Sequence, residues 1–208
     1  MTSTRPGTAA AYPAHLCRTK PDVTRKLLPR LLELAPEGDW LGLGCGSGSI
    51  EDELAKEHPM IAGVDILDVS ELRAAARLPP QVWPAYQADY LLDDRLKAVP
   101  WSAVISNPSF TLPGKSGGKY DPQYDGVLRT IERGLELAPV VAVLHRSSWF
   151  HEPQKERVAF RKRVRSRYLT ERIVIGRTQF YGGGGDSTTY AWLVISPGSS
   201  EATLEYDL

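Results

Sequence analysis

Asn107-Pro108-Ser109-Phe110 joins an amide oxygen, a proline-fixed backbone and an aromatic ring in one short stretch. It follows the apolar run Trp101–Ser106, so the four residues are placed where a buried strand gives way to a loop. Such a set can grip a planar group that carries an NH2. The nitrogen of an aromatic amine is a poor nucleophile, because its lone pair is delocalised into the ring. The side-chain oxygen of Asn107 and the carbonyl of Pro108 can each accept one N–H and so steer that lone pair. Phe110 can stack on the ring, a contact worth about 1–3 kcal/mol. Positioning then supplies most of the acceleration, and no strong base is needed.

A second signal lies upstream. Gly42-Leu43-Gly44-Cys45-Gly46-Ser47-Gly48 is a glycine-rich turn after a hydrophobic segment. A ligand can approach such a backbone closely, because no side chain intervenes. Together, a seat for a nucleotide-like cofactor and a grip for a planar amine point to methyl transfer onto an amino nitrogen.

The elements that must hold these residues alternate between strand and helix. The apolar pattern predicts strands at Trp40–Leu43, Met60–Val64, Val82–Gln87, Trp101–Ser106 and Val140–Leu144. Helices are expected at Asp22–Leu34, Ser49–Glu57, Ser70–Arg77, Tyr124–Leu137 and Pro153–Arg167. Ile173–Ile175 and Tyr190–Ile195 read as a closing hairpin around the tip Gly182–Gly185. The expected fold is α/β: a doubly wound, mostly parallel Rossmann-like sheet with an antiparallel C-terminal hairpin. In such sheets ligands sit beyond the carboxyl ends of the strands.

The glycine spacing is G-x-G-x-G rather than the G-x-G-x-x-G of dinucleotide binders. Asp65 ends the second strand, and Asp89, in Gln87-Ala88-Asp89-Tyr90, follows the third. The glycine run resembles motif I of the class I S-adenosylmethionine-dependent methyltransferases. The resemblance implies S-adenosylmethionine as cofactor, seated over Gly44, Cys45, Gly46 and Gly48. It gives Asp65 to the ribose hydroxyls and Asp89 to the adenine amino group, with Ile66 and Tyr90 flanking the adenine. The family's motif opens on an acid that helps hold the methionine end; Gly42 stands there in this chain. Thr19-Lys20-Pro21-Asp22 resembles the Thr-Pro element upstream of motif I in amino-methyltransferases, which assigns Thr19 and Pro21 to that end.

Asn107-Pro108-Ser109-Phe110 resembles the Asn/Asp-Pro-Pro-Tyr/Phe motif of methyltransferases acting on planar amino groups, with Ser109 in place of the second proline. Val143–Phe150, Arg177-Thr178-Gln179-Phe180 and Thr189-Tyr190-Ala191-Trp192 follow it in the order of phage-type adenine-specific DNA methyltransferases. That resemblance runs from about Thr19 to Ile195 and implies methylation of the exocyclic amino group of adenine in DNA. Asn107, Pro108 and Phe110 are then the catalytic set, with Asn107 also beside the cofactor. RNA, a protein amide or a small-molecule amine is the alternative acceptor, and a non-catalytic cofactor-binding protein is the alternative to an enzyme.

Between Lys155 and Arg172 eight basic residues face two acids, Glu156 and Glu171, although the net charge of the chain is zero. Lys155, Arg161, Lys162, Arg165 and Arg177 are the candidates for phosphate contacts; a solvated surface helix is the alternative. Gly114–Lys119 is a candidate closing loop. The 208 residues suit one domain, residues 19–208, preceded by a flexible arm, residues 1–18. The first dozen residues lack the apolar core of a secretion signal, and no apolar stretch approaches the roughly 20 residues of a membrane span. Cys17 and Cys45 show no paired spacing, and His15, His58, His145 and His151 no ligand spacing, so neither disulfide nor metal is expected. A cytoplasmic monomer or weak homodimer completes the expectation.

Overall fold

Strands that are apolar without interruption are covered on both faces, and that is how Trp40–Leu43 (β1), Ala103–Ser106 (β4) and Val140–Arg146 (β5) lie. The computed structural model describes residues 18–110, 121, 123, 125–178 and 188–198, and the backbone of 204–207. The remaining strands are Ile61–Asp65 (β2), Ala85–Gln87 (β3), Tyr168–Arg177 (β6), Thr189–Pro197 (β7) and Leu204–Asp207 (β8). Among the described residues they form one eight-stranded sheet in the order β3-β2-β1-β4-β5-β7-β6-β8. The run from β3 to β5 is parallel, whereas β7 is antiparallel to both β5 and β6. The doubly wound sheet with an antiparallel C-terminal hairpin is therefore the observed fold.

Pro21–Leu34 (α1) and Ser49–Leu54 (α2) cover one face with Val69–Ala75 (α3). Leu27, Leu31, Trp40, Leu54 and Trp192 form the core beneath them. The indole Nε1–H of Trp192 donates to the Val23 carbonyl at 2.9 Å and fixes α1 to β7. Gly126–Leu137 (α4), Ser147–His151 (α5) and Lys155–Arg165 (α6) cover the other face over Leu41, Leu43, Val104, Ile131 and Phe160.

Several boundaries differ from the sequence expectation, each for a local reason. The expected basic helix Pro153–Arg167 is Lys155–Arg165. A separate short helix, α5, precedes it and stops before Glu152, which is extended at ψ 139° ahead of the proline. β6 spans ten residues rather than Ile173–Ile175. Its charged half hides from an apolar count: Glu171 is buried but pairs with Arg30 of α1. β3 starts only after Pro84, leaving Val82 exposed. The 3-10 helix Asp94–Ala98 and the edge strand β8 lacked a sequence signal. The arm up to residue 17, Gly114–Lys119, Gln179, Phe180 and Gly182–Gly185 lie outside the described residues. Among the described residues, no helix is long and apolar enough to cross a membrane, and no three metal-ligating side chains cluster.

Candidate active site

The chain runs outward from β1 to β2 and β3 and then returns to β4 on the other side of β1. The crevice between β1 and β4 is thus the topological switch point, where α/β sheets bind ligands. Leu43 pairs with Ser106 at the carboxyl ends of these strands, and Ser106 Oγ donates to the Leu43 carbonyl at 2.7 Å. The next residue on one strand is Gly44, and the next on the other is Asn107. The two sequence motifs therefore leave neighbouring strands at the same level, about 5 Å apart by ordinary strand spacing.

The turn needs its glycines. Gly44, Gly46 and Gly48 have φ of 61°, 56° and 79°, in the left-handed region that side chains disfavour. Its amides are largely spent within the fold. The Cys45 N–H donates to the Val64 carbonyl at 3.1 Å and the Gly48 N–H to the Cys45 carbonyl at 2.8 Å. Asp65 accepts from the Gly46 N–H at 2.8 Å on one oxygen and from the Leu67 N–H at 3.0 Å on the other. Its carboxylate thus clamps the turn to the end of β2 and keeps lone pairs beyond those two bonds. Burial, then Glu51 and Asp65, pushes the Cys45 thiol up, so it is a neutral small side chain rather than a nucleophile.

Thr19 binds the two motifs into one unit. Its N–H donates to Ser49 Oγ at 3.1 Å, at the start of α2, and its hydroxyl accepts from Asn107 Nδ2 at 3.1 Å. Pro21 opens α1 in the same segment. The Thr19 hydroxyl therefore sets which way the Asn107 amide faces. Pro108 is buried behind it, and Ser109 is exposed.

Phe110 is half-buried, its ring 6.2 Å from that of Tyr190 and 5.1 Å from the Arg146 guanidinium. A planar group stacking there meets the cation as well as the ring. Ile66, just beyond β2, is 59% exposed. Asp89 caps its own turn through the Leu91 N–H at 3.0 Å. The Tyr90 ring lies beneath Gly44, and its hydroxyl shares a 2.9 Å hydrogen bond with Thr130 of α4. Burial is the main cause that raises the Tyr90 phenol. His145, beside Arg146, is fully buried; burial lowers it to about 4, so it is uncharged at neutral pH.

The basic residues divide. Lys155, Lys162 and Arg177 are exposed. Arg161 and Arg165 are half-buried, 5.8 and 5.4 Å over the Phe150 ring. Arg157 turns inward to Asp125 at 2.7 Å, and Arg163 pairs with Glu132 at 2.9 Å. The structure brings Thr19, the glycine turn, Asp65 and Asn107 together, while α6 stands apart from them.

Sequence reasoning missed Arg73, Trp83 and Glu51. Arg73, buried on α3, donates to the Ser47 carbonyl at 2.8 Å and to Asp52 at 2.8 and 3.0 Å. Trp83 donates to Asp52 at 2.9 Å. These two shape the far side of the turn. Glu51 is buried on α2, and its carboxylate fills the space that a Cβ on Gly42 would occupy. The one available signal was the acid-less Gly42 itself.

No protein-family model matches the sequence, and no curated protein matches it. Solved structures do. A methyltransferase subunit of the type I restriction-modification system from Streptococcus thermophilus aligns over 88% of this chain and 44% of its own, at 15% identity and TM-score 0.62. The plantazolicin methyltransferase BpumL, solved with SAH, aligns over 85% and 83% at 9% identity and TM-score 0.53. A Pyrococcus horikoshii protein assigned as an RNA methyltransferase aligns over 93% and 85% at 14% identity and TM-score 0.52. The fold is the Rossmann-like methyltransferase fold, and the chain spans less than half the length of the restriction-modification subunit it resembles.

Proposed function

We propose that the chain is an S-adenosylmethionine-dependent methyltransferase acting on the exocyclic amino group of adenine in DNA. The observation that carries this is the Leu43–Ser106 pairing, which sets the glycine turn beside Asn107 at the switch point, with Thr19 bridging them. S-adenosylmethionine supplies a methyl group on a positively charged sulfur. The residues of the chain bind and orient. Asp65 stands at the strand end where a carboxylate can accept a ribose diol. Oε2 of Glu51, buried on α2, lacks a hydrogen-bond partner. Asn107 and the Pro108 carbonyl hold the amine by its two N–H groups, and Phe110 with Arg146 faces the base. Bound there, S-adenosylmethionine would supply an electrophilic methyl to the nitrogen that Asn107 and Pro108 orient, and the proton shed by that nitrogen would pass to solvent. No general base is required.

The likeness to a methyltransferase subunit of a restriction-modification system supports DNA as acceptor. A duplex base must leave the stack to reach this crevice, at a cost of a few kcal/mol. The exposed cations Lys155, Lys162 and Arg177 are the phosphate contacts we assign, with Arg161 and Arg165 behind them. Reversing Lys155 and Lys162 to glutamate is expected to weaken DNA binding at 50 mM salt. It should also flatten the salt dependence of log K by about two, as measured by anisotropy titration. An unchanged slope would assign α6 to the solvated surface instead.

The deciding experiment is mass spectrometry of nucleosides from host DNA with and without the chain, paired with label transfer in vitro from S-adenosylmethionine to unmethylated DNA. A methyladenine peak is expected. RNA is the second acceptor, favoured by the likeness to the P. horikoshii protein, and label in RNA but not in DNA would replace the first reading. Asp65→Ala removes a charged acceptor from two backbone amides and from the ribose. It is expected to weaken cofactor binding about 100-fold, at about 1.5–3 kcal/mol for each charged hydrogen bond. Calorimetry checks this, and a change under threefold would remove Asp65 from the site.

A further inference from the structure

Glu51 carries a cost that the fold alone does not explain. It is 2% exposed on α2, and Oε2 has no hydrogen-bond partner. An ionised group left in that state is expensive unless a counter-charge arrives. The nearby cation, Arg73, is engaged with Asp52, the Ser47 carbonyl and the Pro79 carbonyl. The other charged or titratable groups facing Glu51 are Asp52 on α2, Asp65 on β2 and Cys45 in the turn. Arg25 of α1 reaches α2 at Glu53 rather than at Glu51. Burial, with Asp52 and Asp65, pushes the Glu51 carboxyl up to about 8.

The position of that carboxylate is equally specific. It fills the space over Gly42, the last residue but one of β1, where any side chain would overlap it. Gly42 leads directly into the turn, and α2, which carries Glu51, begins at the Ser49 hydroxyl that holds the Thr19 N–H. A buried acid with one oxygen unpartnered, packed over the strand that leads into the turn, is suited to receive a cation. S-adenosylmethionine brings one on the ammonium of its amino-acid end, apart from the adenine and ribose that Asp89 and Asp65 would serve.

We infer that Glu51, reaching from α2 into the space left by Gly42, binds the ammonium of the amino-acid end of the cofactor. This rests on the cofactor reading proposed above. The ammonium gives Oε2 a donor and favours the ionised carboxylate, which burial holds protonated below about pH 8 in the ligand-free protein.

The test is calorimetry on the full chain with two ligands. S-adenosylhomocysteine has the amino-acid end, and 5′-methylthioadenosine shares the nucleoside and thioether but lacks it. Glu51→Gln keeps the shape and removes the charge. It is expected to weaken S-adenosylhomocysteine 10- to 100-fold while leaving 5′-methylthioadenosine within twofold. A melting series separates this from damage to the fold. The folded carboxyl holds its proton above the ordinary 4.5, so the ligand-free wild type loses stability as pH climbs from about 4.5 to about 8. Glu51→Gln should abolish that loss and melt at or above the wild type at pH 8. A variant that melts lower at pH 8, or that weakens both ligands alike or neither, overturns the proposal. Wild-type protein that binds neither ligand overturns the cofactor reading and this inference with it. That outcome is distinct from the inference failing alone, in which the wild type binds both.

Discussion

Asn107→Ala is expected to slow methyl transfer to adenine about 100-fold or more without unfolding the protein. The side chain is half-buried at the mouth of the crevice, so its loss leaves no large cavity. What disappears is the acceptor that we propose orients the amine, and a misplacement of about 1 Å at a reacting centre can cost about 100-fold. The bond from Nδ2 to the Thr19 hydroxyl goes as well, worth about 1 kcal/mol to the local structure. Asn107→Asp keeps an accepting oxygen, and the Thr19 hydroxyl can turn from acceptor to donor. That variant should therefore retain activity within about tenfold, whereas alanine should not. Single-turnover label transfer at saturating S-adenosylmethionine reads both. An alanine variant that keeps more than a tenth of the wild-type rate would remove Asn107 from the chemistry.

Asp125→Ala is expected to destabilise the fold by about 3–5 kcal/mol, the range for breaking a buried ion pair from one side. The Asp125 side chain is fully buried. One of its oxygens caps α4 through the Leu128 N–H at 3.1 Å, and both lie within 3.2 Å of the Trp149 indole N–H. Arg157 Nε donates to it at 2.7 Å from α6. One carboxylate therefore joins α4, α5 and α6, the three helices that cover one face of the sheet. Removing it takes the buried carboxylate from the Arg157 guanidinium, which still reaches Glu152 and the Trp149 ring. Urea unfolding should show a lower midpoint with an unchanged slope. Asp125→Leu with Arg157→Met should recover part of the loss, because no fully buried charge is then left behind and Glu152 is partly exposed. A single variant within 1 kcal/mol of the wild type would contradict this account of the helical layer.

The basic run shows why charge patterns read poorly from a linear chain. Eight cations lie between Lys155 and Arg172, and the sequence leaves open whether they meet phosphates or solvent. In the fold, Arg157 is consumed by Asp125, Arg163 by Glu132, and Arg172 is buried beside His151 at 3.0 Å. Helical period states which side of α6 a residue takes, but not which acid waits opposite. The acid sits on another helix, far away in sequence.

The strands, the turn and the acceptor motif were legible because each is a local matter. Apolar runs and glycine spacing reflect backbone conformation and burial over a few residues, and they fixed β1, β2, β4, β5 and the turn at Gly44–Gly48. The doubly wound order followed from alternation. What only the tertiary structure decided was adjacency. Leu43 faces Ser106 because the chain crosses β1 on its return, and that crossing alone brings Gly44 beside Asn107 and Thr19 between them. Glu51 belongs to the same class: a carboxylate from one helix stands where a strand residue has no side chain. Neighbours of this kind are set by packing between distant segments, a property that no window along the chain contains.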